Sequence, residues 1–160
     1  MKTCHGAAPP TTQDGDRLMT DELESIAVDM GHGRSRTMAE LIGGWQRHVT
    51  RLDEESRMPV QRSTWGAHDY FAALSLRDWV RDGASSLSSD LKRLVDFRVS
   101  DADRLLRHFT DPDARGLVAR FGRATPGADA WWWHRIPRSG PVRDELETWL
   151  ARAAQEPTSQ

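Results

Sequence analysis

The six histidines are the first residues to consider for acid–base or metal chemistry. His5 and His32 fall in an N-terminal segment and a glycine-flanked loop, while His48, His68 and His108 fall on three separate predicted helices. Metal donors gather on one helical face when two His flank a Glu at i, i+4, or when Glu-x-x-His motifs occur in pairs. Neither spacing is present, and Cys4 has no second thiol with which to share a metal. The pattern predicts no metal site and no cofactor, with the histidines solvated or hydrogen-bonded. His68-Asp69-Tyr70 offers a base, an orienting acid and a phenol in sequence. Adjacent residues on a helix do not face one another, and a triad needs neighbours in space. No Gly-x-Ser-x-Gly or reactive-cysteine context accompanies them, so no catalytic residue is assigned.

Arg77-Asp78 and Asp101 carry a different possibility. Arg77 lies one turn beyond Ala73 and Leu74, at the edge of an apolar helical face, and Asp101 sits at a similar boundary beside Ala102. A buried Arg requires a carboxylate, because an unpaired buried charge is very costly. Asp101 is the expected partner of Arg77, with Asp78 second, as a staple between helices. The alternative is a polar pocket in which Tyr70, Arg77, Asp101 and one helical histidine converge on a small molecule.

Trp131-Trp132-Trp133 is the third feature, followed by His134-Arg135-Ile136-Pro137. Neither a helix nor a strand puts three successive side chains on one face, so at least one indole must diverge from the others. In an extended run, Trp131 and Trp133 point inward as anchors and Trp132 points outward. Trp and Arg dominate binding hot spots, so Trp132 and Arg135 are the expected partner contacts, with Arg135 stacked on the exposed indole. The competing reading is a plug over one end of the fold.

These residues must be positioned by helices. Thr20 is a candidate cap for a first helix carrying Leu23, Ile26, Ala27 and Met30, ended by Gly31 and Gly33. Met38, Leu41, Ile42, Trp45, Val49 and Leu52 form the stripe of a second, whose Gly43-Gly44 implies either a close approach or a kink. A third runs from about Gly66 to Ala84, with Tyr70, Ala73, Leu74 and Val80 inward. Ser88 caps a fourth whose apolar residues, from Leu91 to Phe109, keep phase across Ser100 as one long helix. Asp111-Pro112 signals the start of a short helix ending at Gly122, and Gly140-Pro141 opens the last. No segment alternates as a strand does. The expected fold is therefore all-α: a single-domain bundle of about five or six helices over residues 18–154, with the Trp-rich loop packed on one end. Residues 1–17 and 155–160 are expected to be flexible tails.

Composition narrows the class. The chain has 160 residues and a net charge of -2. Nucleic acid is not expected as a partner, since binding domains usually carry a basic excess. That slight acidity would suit a basic protein but is too small to identify one. A single cysteine, no apolar leader and no stretch near the roughly 18 apolar residues of a membrane span make the cytoplasm the expected compartment, with no membrane association. The sequence does not indicate the oligomeric state.

As an ordered set, Asp69-Tyr70, Arg77-Asp78, Asp101 through Phe109-Thr110, the Trp triplet with Arg135 and Pro137, and Gly140-Pro141 have a familiar look. The set resembles small uncharacterised helical proteins of high-GC bacteria, some of them thought to be immunity-type partners of polymorphic toxins. The resemblance covers roughly residues 45–150 and rests on packing-type residues. It implies a non-enzymatic protein-interaction module that covers a partner's active surface, and it assigns no catalytic residue.

Overall fold

A computed structural model describes residues 12–59 and 62–155. Within them the chain is a mostly helical bundle of six α-helices with two small two-stranded sheets. Cys4 and His5 lie outside the described residues, as do residues 1–11 and 156–160 of the two expected tails.

Helix α2 (Met38–Ser56) is the centre of the bundle. Its N-terminus is closed by Thr37, whose hydroxyl accepts from the Glu40 amide (3.1 Å) while the Glu40 carboxylate accepts from the Thr37 amide (2.8 Å). This reciprocal pair satisfies two amides that the first turn leaves without partners. Met38, Leu41, Trp45, Val49 and Leu52 are buried along its length. Gly44 is buried on this helix, and a Cβ there would meet Leu76 of the neighbouring helix at 3.4 Å. The glycine therefore marks a close approach between helices.

Helices α3 (Ala67–Ala84) and α4 (Ser89–Phe109) both pack against α2. Asp69 closes the start of α3, its carboxylate accepting from the Gly66 amide at 2.9 Å. The acid of His68-Asp69-Tyr70 is thus a helix cap. Helix α4 runs unbroken through Ser100 with Ser88 as its cap, as its continuous apolar phase predicts. Helix α6 (Pro141–Gln155) lies against α3, and its Glu145 accepts the Ala67 amide at 2.7 Å.

The structure corrects the reading at three places. Helix α1 spans Thr12–Ser25, so residues 12–17 belong to a helix and Thr20 lies inside it rather than capping it. Past Ser25 the chain leaves the helix, and β1 (Ala27–Asp29) pairs antiparallel with β2 (Ser35–Thr37). Gly31, His32 and Gly33 hold φ of 79°, 54° and 71°, which reverses the chain where the helix was expected to end. Two glycines make that left-handed run accessible. Asp111-Pro112 does not start a helix. It lies in β3 (Thr110–Pro112), paired antiparallel with β4 (Arg135–Pro137). The residue before a proline favours extended backbone, which suits a strand as well as an N-cap. The N-cap of the short helix α5 (Leu117–Phe121) is Gly116, and the Asp113 carboxylate accepts from the Val118 amide of its first turn at 2.8 Å.

Candidate functional site

The tryptophan run is a single 3-10 turn, Trp131–His134, hung between α5 and β4. About three residues per turn rotates successive side chains by a third of a circle, so the indoles leave in three directions. This overturns the extended-run expectation. Trp132 and Trp133 are buried, and Trp131 is only partly buried.

Asp78 of α3 fixes the two inner indoles. Its two carboxylate oxygens accept the Trp132 N–H at 3.0 Å and the Trp133 N–H at 2.8 Å. Both buried indole donors are thereby satisfied. Trp133 stacks on Phe71, with centroids 6.4 Å apart at 25°. It also rests on Gly122, where a Cβ would lie 2.8 Å from the indole ring and 2.8 Å from the Val118 carbonyl oxygen. Gly122→Ala should therefore lower stability by about 1–3 kcal/mol, as overpacking does, read as a lower urea midpoint at unchanged slope.

Arg77 is held beside them. Its guanidinium lies 4.7 Å from the Trp132 ring centroid and grips Asp103 of α4 with two bonds, Nε to Oδ1 and Nη2 to Oδ2, each 3.1 Å. Asp103 Oδ1 also accepts the Trp45 indole N–H at 2.9 Å. One buried carboxylate thus ties α2, α3 and α4 together. The predicted partners of Arg77 were Asp101 and Asp78, and neither has that role. Asp101 is exposed and pairs with Arg104, while Asp78 is occupied by the two indoles. Residues two apart on a helix lie about 200° around the axis. Asp101 and Asp103 therefore face opposite ways, and Asp103 shares its face with buried Val99 and Leu106.

The remaining polar candidates are also committed to packing. Tyr70 is fully buried and donates to the Arg135 carbonyl at 3.0 Å. Burial pushes its phenol pKa above the ordinary value, so it stays protonated and is no general base. Arg135 was expected to stack on an exposed indole. Instead it closes the end of α4, with Nε donating to Thr110 Oγ1 (3.0 Å) and Nη2 to the carbonyls of Thr110 (2.6 Å) and Arg107 (3.1 Å). A cation at a helix C-terminus satisfies carbonyls that the last turn leaves open. His48 bonds the Gly44 carbonyl at 2.8 Å, His68 lies against Trp149, and His108 is exposed. Tyr70, Arg77, Asp101 and a histidine do not meet in one pocket. Among the described residues, no three His, Cys, Asp or Glu side chains gather as metal donors.

Trp131 is what the site presents outward. Its ring meets Trp132 edge to face at 5.9 Å, and the exposed Arg107 of α4 lies over it, 3.5 Å from the ring centroid. Beside it a cleft of about 340 Å³ opens between α3 and α4, with Val80 and Val95 in its wall and Arg81 and Lys92 along it. Arg107, Arg81 and Asp103 were missed in the sequence. Asp103 alone had a readable signal, its i+4 and i−3 spacing from Val99 and Leu106.

No protein family, characterised protein or solved structure matches the chain. No helix among the described residues is long and apolar enough to cross a membrane.

Proposed function

We propose that the protein is a non-enzymatic interaction module that binds a protein partner through the Trp-rich turn, with Trp131 and Arg107 as its contacts. The observation that carries this reading is Trp131, the one indole of the three that is not fully buried, with an exposed guanidinium lying over it. Trp and Arg are the residue types that concentrate binding energy at interfaces. The polar groups that suggested chemistry support it from the other side, because they are spent on packing: Arg77 on Asp103, Asp78 on two indoles, Tyr70 and Arg135 on the β3–β4 corner. An immunity-type role, as the resemblance implies, would act by steric cover of the partner from this face.

The test is affinity capture from native cell extract with the full chain, run beside Trp131→Ala. A protein retained by the wild type should be lost from the variant, while the variant still melts cooperatively with a stability lowered by about 1–3 kcal/mol for a partly buried side chain. The same proteins retained by both would refute the reading. One observation favours a second reading, a small-molecule site. The cleft beside Trp131 holds about 340 Å³, which lies at the lower end of the roughly 300–1,000 Å³ of ligand pockets.

A further inference from the structure

Beyond Trp131, on the far side of Arg107, lies a shallow depression of about 640 Å³ at the C-terminal end of α4. Arg104, Leu105, Arg107, His108 and Arg138 line it, and none of the lining residues is acidic. We infer that this depression is a docking surface for an acidic protein segment, whose carboxylates engage Arg104, Arg107 and Arg138. The inference rests on the interaction-module reading and names the chemistry of the partner.

Four features support it. Arg107 and His108 pair with no carboxylate among the described residues. Arg107 lies over Trp131, its guanidinium carbon 3.5 Å from the ring centroid, which holds the group in place while its N–H donors remain for a two-point carboxylate contact. Arg104 and Arg138 do hold carboxylates, Asp101 and Asp111, but all four side chains are more than half exposed. Such pairs are weak and screened, so a partner's carboxylates can replace them. The last feature is Arg135 beneath the surface. Its bonds to the Arg107 and Thr110 carbonyls offset the negative end of the α4 dipole, which would otherwise oppose an acidic ligand here.

The whole chain carries a net charge of -2, so the basic face is local, not a general property of the molecule. The net charge is too small to identify a partner, and the charge of this face is the one a ligand meets. Local charge decides because charges beyond a Debye length of about 10 Å at 0.1 M salt are largely screened. The carboxylates at the rim, not the net charge, favour a protein over a nucleic acid. A phosphate backbone would have to pass Asp101 and Asp111 at the rim, whereas a folded partner can place its carboxylates between them.

The test measures fluorescence anisotropy of labelled octaglutamate and labelled octathymidylate on the full chain in low salt. Octaglutamate should bind and should weaken as salt rises. Arg107→Gln/Arg138→Gln should weaken it by about tenfold, whereas Arg34→Gln/Arg93→Gln, removing the same charge elsewhere, should change it less than about twofold. Arg104→Gln alone, an exposed position, should give an intermediate loss and serves if the double variant fails to melt cooperatively. No octaglutamate binding, equal weakening by both double variants, or tighter binding of octathymidylate would each overturn the inference. If octaglutamate fails while partner capture still depends on Trp131, the module reading stands and only the acidic partner falls. If capture is indifferent to Trp131, the module reading itself falls.

Discussion

Asp103→Ala should destabilise the protein by about 3–5 kcal/mol, a large part of the total for a domain of this size. The carboxylate is buried between three helices, and its removal leaves two groups stranded. The Arg77 guanidinium loses both bonds, and its side chain is only 11% exposed, so water reaches it poorly. The Trp45 indole N–H loses its acceptor at a fully buried position. The cost is that of orphaning these groups, not the worth of the ion pair itself. Replacing both partners, Arg77→Met with Asp103→Leu, should recover the share of the loss that comes from the stranded guanidinium, because buried pairs exchange for apolar residues at little net cost, while the Trp45 N–H stays without its acceptor. Urea unfolding of the single and double variants checks this. A double variant as unstable as Asp103→Ala would place the loss on the Trp45 N–H and not on the stranded guanidinium.

Trp132→Ala should cost a similar amount, about 3–5 kcal/mol, as large-to-small changes of buried aromatics do. The indole is 2% exposed, covered by Arg77 and Arg81, and bonded to Asp78. Truncation opens a cavity under two arginines whose charges were partly balanced by the ring face. Trp131→Ala, one residue earlier, should cost less because its ring is only partly buried. The pair is a contrast between identical side chains at adjacent positions, with the larger loss at the buried one. Equal midpoints for the two variants would mean that the 3-10 turn does not hold its indoles in these directions.

Much of the bundle was legible in the sequence. The stripes of α2, α3 and α4 run for five turns each, and long periods average out single exceptions. The four strands were not legible, because each has three residues and alternation needs more. The Trp run was located as the region of interest but its geometry was inverted. A triplet of one residue type carries no periodicity, so nothing in it separates an extended chain from a 3-10 turn, and that choice decides which indole faces out. The Arg77 partner was missed by two residues for a related reason. The charge pattern narrows the choice to the right helix, but only the phase of Val99 and Leu106 distinguishes Asp103 from Asp101. Arg107 lies 24 positions before Trp131 in the chain, and the two meet only because β3 and β4 pair. No local pattern reports that contact.

The central claim is that one indole of three faces a partner while the other two serve the fold. The most direct test titrates the captured partner against wild type and Trp131→Ala, with the thermal melt recorded on the same samples. The account predicts binding weakened by about tenfold or more with the helical signal retained, as for removal of an interface anchor. Undiminished binding to a folded Trp131→Ala protein would contradict it.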